Sequence, residues 1–212
     1  MYQPRHFQEK DLGQIVRLIE ENPLGILVLT FNGNFEVNHI PFVVDADESG
    51  INQLRAHIPK SNPLSDMALH TQDCVVTFQG AQGYISPSWY ATKQKNGKVV
   101  PTWNYSVVHV HGKLRTVNDS SWVMQQLHDL TALYESKRQK PWQVSDAPKE
   151  FTITRASVLV GLELIASRVE AKTKASQNQP EENRASVLQS LKTERPESDL
   201  TAMMHAVNDD NS

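Results

Sequence analysis

The sequence has a single cysteine, Cys74, among 212 residues, so no disulfide can form within the chain and no thiolate cluster can hold a metal. It lacks an apolar run long enough to span a bilayer and a basic-then-apolar leader, so no membrane contact and a cytoplasmic location are expected. A basic surplus is absent too: 21 Lys and Arg against 24 Asp and Glu leave a formal net charge of −3 and a pI near 6.2. Phosphate neutralisation dominates affinity for nucleic acid, and direct DNA binding is therefore expected to be weak and non-specific. Nor is there a helix-turn-helix pattern or the paired Cys and His spacing of a zinc module. The 9 glycines are too scattered for a dinucleotide fingerprint or a P-loop, and G-x-S-x-G and paired catalytic carboxylates are missing. Of 8 histidines, His109 and His111 alternate on one strand face, but without His-Glu-x-x-His no metal is expected.

What is present is an ordinary globular share of apolar residues, 39%, enough for one sizeable core. The expected organisation is a single domain over 1–191 and a polar C-terminal tail over 192–212 with a possible short helix at Thr201–Val207. Cys74 lies in the apolar run 73–79 and reads as buried rather than reactive.

The most informative stretch runs from Gln82 to Tyr105. Two blocks, Tyr84-Ile85-Ser86-Pro87-Ser88-Trp89-Tyr90 and Val100-Pro101-Thr102-Trp103-Asn104-Tyr105, flank a basic loop. Each sets Trp and Tyr beside small polar residues and a proline. Flat aromatic faces with hydroxyl and amide groups on a fixed backbone suit a surface that holds a planar polar molecule, with Ser86, Trp89, Trp103 and Asn104 as candidates. The other reading is a hairpin whose aromatics fill a core.

Periodicity gives the element order. A capped amphipathic helix is predicted over 11–21 and ends at Asn22-Pro23. Strands follow over 24–31 and 35–44, joined by an Asn32-Gly33 turn, then over 51–58. A short helix over 62–69 and strands over 74–78, 84–90 and 107–117 come next. The clearest helix spans 120–139, with Trp122, Leu127, Leu130, Leu133 and Tyr134 on one face behind Asn118-Asp119. A helix over 148–156 leads into a final strand over 158–165, and 208–212 has nothing to order it. Many strands, few helices and no repeated strand-helix-strand unit predict a mainly β, α+β chain: an antiparallel β-barrel with peripheral helices.

Lys60, Ser61 and Asn62 stand at the start of the predicted helix after a strand, where free N–H groups and a partial positive charge make a workable phosphate cradle. Alternatively Ser61 or Asn62 only caps that helix and Lys60 is solvated. A second basic cluster, Lys172-Thr-Lys174-Ala-Ser-Gln177-Asn178, follows the last strand. By itself it reads as the solvated start of a tail.

The motifs together resemble a known family. YISPSWY, VPTWNY with a downstream VHVHG, the N-terminal MYQPRHF, the segment His39–Phe42, Pro141-Trp142, Gly161-Leu162-Glu163 and KASQN fall in the order of the PaiB-like, FMN-binding negative transcriptional regulators. The similarity covers residues 1–191. It implies the FMN-binding type of split β-barrel, a homodimer, and FMN as cofactor. It adds His57 to the site and makes Lys172, Lys174, Gln177 and Asn178 candidates to close over a phosphate or ring. Lys60 stands where the family usually has Arg, while Ala56 and Ala171 replace glycines. A flavin-dependent oxidoreductase and a haem-binding or haem-degrading relative are the alternatives.

Overall fold

The computed structural model describes residues 1–67 and 72–209. Residues 68 and 69 of the expected 62–69 helix, and 210–212 of the end expected to lack order, lie outside the described residues. In chain order the elements are β1 (Gln8–Glu9), α1 (Leu12–Glu21), β2 (Leu24–Phe31), β3 (Asn34–Pro41), β4 (Val43–Asp47), β5 (Gly50–Pro59), α2 (Leu64–Met67), β6 (Gln72–Ile85), α3 (Lys93–Asn96), β7 (Thr102–Val117), α4 (Ser120–Glu135), α5 (Lys149–Ser157), β8 (Leu159–Lys174), α6 (Glu181–Glu194) and α7 (Asp199–Asp209). The strands pair in the order β3-β2-β6-β7-β8-β5-β4, with β1 added antiparallel to β8.

The chain forms two compact units. The first holds Met1–Leu18, Gln79–Val108 and Glu170–Ser212, and the second Ile19–Phe78 and His109–Val169. In the second unit Asn32 and Gly33 both take positive φ, 50° and 79°, so β2 and β3 meet in the tight turn that the Asn-Gly pair predicts. Period-2 burial puts Leu27 and Leu29 inside with Leu54, Ala56, Ile58, Val76 and Phe78. Cys74 is buried among them, and burial pushes its thiol up to about 12. Arg55 holds Asp129 with its Nη1 and Asp45 with Nε and Nη2, at 2.5 to 2.8 Å.

Several expectations shift. The strand expected over 84–90 ends at Ile85, because Pro87 starts a single 3-10 turn over Pro87–Trp89 whose first N–H, from Ser88, is taken by Ser86 Oγ at 3.2 Å. β8 runs nine residues past 165, through a polar stretch with no apolar signal. β1 supplies its neighbour there, pairing Gln8 with Lys172 and Glu9 with Ala171. Helix α4 starts where expected, with Asp119 Oδ1 accepting from Ser121 N and Trp122 N. Its inward line, however, runs through Val123 and Gln126 while Tyr134 is exposed.

In the tail the short helix expected at Thr201–Val207 is present as α7, and its docking is what the polar composition did not show. In the first unit α7 buries Leu200 and Met204 in a cluster with Ile85, Tyr90, Ala175, Val187 and Leu191. The polar residues around them had hidden two apolar positions one helical turn apart, i and i+4, which is all that docking a short helix requires.

Candidate functional site

The candidate residues fall into two groups, one in each unit. In the first unit the two aromatic blocks have separate fates. Trp89 packs on the cluster beneath α6 and α7 and donates its indole N–H to Glu194 at 2.8 Å. The backbone after it is fastened to α6: Ala91 N donates to Ser186 Oγ at 3.0 Å, Thr92 N to Asn183 Oδ1 at 3.0 Å, and Ser186 Oγ to Trp89 O at 2.7 Å. Tyr90 is buried in that cluster, and Trp89 is partly buried against it. Trp103 is different: it is 49% exposed, stands edge-on to Tyr84 at 6.4 Å, and donates to Gln82 Oε1 at 3.1 Å. Its face remains open.

Asn104, beside it, is fully buried. Its Nδ2 donates to Ser176 Oγ at 2.9 Å and lies 3.3 Å from Met204 Sδ, while Oδ1 has no hydrogen-bond partner among the described residues. Ser176 takes φ 65°, turning the chain out of β8. It also bonds Tyr90, whose hydroxyl is raised above the usual tyrosine range by burial, which outweighs the lowering effect of that bond.

Strand alternation puts Lys172 and Lys174 on one face of β8. Lys172 is buried, and its Nζ donates to Tyr105 Oη at 2.7 Å and to Tyr2 O at 3.4 Å. Three rings surround it, Tyr105 at 4.9 Å and Tyr2 and Phe7 at 5.8 Å. Lys174 donates to Thr102 Oγ1 and to Trp103 O at 2.8 Å, with Phe7 at 6.0 Å. Its ammonium is lowered below the usual lysine range by burial and by Lys172, which outweigh Tyr105. Neither lysine pairs with a carboxylate among the described residues. Glu170, next on the same face, is held by the Met1 amino group at 2.8 Å. Gln177 folds back on its own strand end, accepting from Ala175 N and donating to Thr173 O, both at 2.7 Å. Asn178 is exposed.

In the second unit His57 Nδ1 meets Gln126 Oε1 at 2.6 Å, and Gln126 is fully buried with Nε2 unpartnered. A carbonyl oxygen only accepts, so Nδ1 is the donor of this bond. Lys60 is exposed and donates to Ser157 O at 2.8 Å, at the end of α5. Ser61 is exposed. Asn62 Oδ1 accepts from Leu64 N at 2.9 Å, the capping role at the start of α2.

The residues of the first unit fit a planar molecule with an anionic group. Trp103 and Tyr84 give an open aromatic face, and among the described residues Asn104 keeps an unpaired acceptor and two lysines stand without countercharge. Tyr2, Phe7 and Tyr105, absent from the candidates drawn from the sequence, complete this cluster. Their signal lay in MYQPRHF and VPTWNY, but only folding brings those motifs to β8. Gln126 had no signal beyond its place on a helix.

Comparison with known proteins is consistent across sequence and structure. The family described as "Putative FMN-binding domain" matches residues 1–168. An uncharacterised protein of Emericella nidulans is 30% identical over 223 residues, covering 89% of each chain. An uncharacterised protein of Saccharomyces cerevisiae is 33% identical over 170 residues, 71% of this chain and all of that one. The protease synthase and sporulation protein PAI 2 of Bacillus subtilis is 27% identical over 92% of this chain and 90% of its own. Among solved structures, the flavocytochrome Anf3 of Azotobacter vinelandii aligns at TM-score 0.57 and 16% identity, covering 86% of this chain and 77% of that one. The FAD- and haem-binding protein of Mycobacterium smegmatis aligns at TM-score 0.58 and 14% identity, over 79% and 73%. At such identities these two speak to the fold, an antiparallel split β-barrel with peripheral helices. The chain belongs to the PaiB-like family of FMN-binding domains.

Proposed function

We propose that the protein is an FMN-binding, PaiB-like homodimer of the cytoplasm that acts in negative regulation of transcription. Family membership supports the flavin, and the observation that carries it is the open Trp103–Tyr84 face in the same unit as two lysines without countercharge. The proposed contacts are His57, Lys60, Ser61, Asn62, Ser86, Trp89, Trp103, Asn104, Lys172, Lys174, Gln177 and Asn178. A flavin, when bound, supplies redox chemistry, and the side chains orient it and set its surroundings. The regulatory part rests on the family's character. With a net charge of −3, the effect is proposed to pass through a ligand or partner rather than through the protein's own grip on DNA.

Titrating the apo-protein with FMN, followed by flavin fluorescence, tests this reading. Saturable binding with one flavin per chain is expected. Replacing Trp103 by Ala should weaken FMN and riboflavin alike, because a ring wall does not sense the phosphate. No binding of either flavin would remove the proposal's foundation.

The dimer has its own support in the second unit. Leu24, Phe35 and Val37, respectively 59%, 79% and 53% exposed, stand on the outward face of the β2–β3 hairpin. β3 is also an edge strand of the sheet. Apolar residues grouped on such a face call for a cover, and a second copy supplies one. Sedimentation should give twice the 23.9 kDa chain mass, and Phe35→Glu should shift it towards the monomer. A monomer across a wide dilution series would end the dimer claim.

A further inference from the structure

In the second unit β7 carries two imidazoles side by side. Val108, Val110 and Leu114 are fully buried, so alternation turns His109 and His111 to the opposite face, where both are half-buried. Their ring centres are 6.2 Å apart at an interplanar angle of 62°, and a ring nitrogen of one lies within 4.8 Å of a ring nitrogen of the other. The helical spacing His-Glu-x-x-His is absent from this chain. On a strand, however, the i, i+2 spacing brings two imidazoles to one face just as i, i+4 does on a helix.

The surroundings fix this pair and favour a cation. β7 lies between β6 and β8, and the His111 carbonyl accepts from Ser167 Oγ at 3.2 Å. With the backbone held, only side-chain torsions remain to be set when the rings close on a common ion. An ion about 2.0–2.1 Å from each nitrogen needs them roughly 3–4 Å apart, which a small ring rotation supplies from 4.8 Å. The cations further along the same face are drawn to neighbouring strands: Lys113 donates to Asp73 at 2.9 Å and Arg115 Nε to Glu163 Oε2 at 2.6 Å. Their charge is thus partly cancelled where it would otherwise oppose a bound metal. Cys74 is buried, and its thiol is pushed up to about 12, so no thiolate joins the imidazoles. Nitrogen ligands of this kind suit Zn²⁺, Ni²⁺ and Cu²⁺, whereas Ca²⁺ and Mg²⁺ take oxygen.

We propose that His109 and His111 form a two-imidazole site for a divalent transition-metal ion of the Zn²⁺, Ni²⁺ and Cu²⁺ class. Closed structural zinc sites use four protein ligands. Two leave the other positions to water, so the ion exchanges readily and its open positions can accept a donor atom from a second molecule. Both ligands belong to the second unit, and the site does not depend on the flavin reading.

The test uses the full chain without a polyhistidine tag, cleared of metal with EDTA, and Zn²⁺ and Cu²⁺ as probes. Calorimetric titration with Zn²⁺ is expected to show one ion per chain. At a hundredfold excess over the dissociation constant, Zn²⁺ should raise the melting midpoint by about 5–10 °C. One equivalent of Cu²⁺ should give an electron paramagnetic resonance spectrum split by two nitrogens. Outer-shell partners alone are worth about 10–100-fold in metal affinity, so His109→Asn and His111→Asn should each weaken Zn²⁺ at least tenfold. Each should also leave copper with one coupled nitrogen, while His128→Asn on α4 changes neither reading. In the unaltered chain, where no variant has to fold, Zn²⁺ should slow diethyl pyrocarbonate modification of His109 and His111, read by mass spectrometry, and Mg²⁺ should not. Absence of Zn²⁺ binding, equal binding by the parent and both variants of the pair, or rings that stay reactive in the Zn²⁺-saturated chain would each overturn the proposal.

Discussion

Ending the chain after Arg195, which removes α7, is expected to lower the melting midpoint by roughly 10–20 °C. Leu200 is 3% and Met204 0% exposed, both in the cluster with Ile85, Tyr90, Val187 and Leu191. Emptying such positions costs about 2–5 kcal/mol each, and the two losses overlap because they share one cluster. About 5 kcal/mol in all, at roughly 2–4 °C per kcal/mol for a chain of this size, gives the shift. Thr201 Oγ1 also donates to Arg195 O at 2.7 Å, a bond lost with the helix. Met204→Ala alone should give about half the effect. It also uncovers Asn104, whose amide lies against Met204 Sδ. A midpoint within about 3 °C of the full chain would mean that the tail is an appendage, as its polar composition suggests.

Gly112→Ala should be strongly destabilising, more so than the same methyl insertion at Gly161. A Cβ at Gly112 would stand 2.1 Å from the Ile165 carbonyl oxygen and 2.7 Å from Leu164 Cδ2. Backbone cannot turn aside as a side chain does, so β7 must move away from its neighbour, at a cost of about 3 kcal/mol or more. Gly161→Ala is the control. There the new Cβ would meet Trp122 Cζ3 at 2.3 Å, a side-chain ring rather than a strand backbone. Thermal melts of the two variants should rank Gly112→Ala lower. The reverse order would show that the indole, not the strand backbone, is the rigid partner. Both glycines belong to motifs, VHVHG and GLE, that mark the family. Their reason in this fold is close approach rather than a special turn, since neither has positive φ.

The candidate site was only half legible. Trp103 was visible because a tryptophan between Thr102 and Asn104, after a proline, is unusual for a plain strand, and the structure leaves its face open. Trp89 carried the same composition and is partly covered, because α6 supplied Glu194, Ser186 and Asn183 to its block. Helix α6 itself gave little signal: its buried line is Asn183, Val187 and Leu191, only two of them apolar. At the expected cradle, Asn62 caps α2 and Lys60 reaches the end of α5, 97 positions along the chain.

What the sequence determined by itself is whatever depends on spacing along the chain. The Asn32-Gly33 turn, the alternation of β2, the Asp119 cap of α4, the burial of Cys74 and the motif order that marks the family all follow from residues a few positions apart. Tertiary structure decided what depends on residues far apart meeting at one place. Gln8 and Glu9 came to pair with Lys172 and Ala171 at the far end of β8, and Lys172 acquired Tyr2, Phe7 and Tyr105 from segments 67 to 170 positions away. The physical reason is that helix and strand periods are properties of the backbone. The partner of a charge or of a short apolar stripe is set instead by which elements the sheet brings side by side.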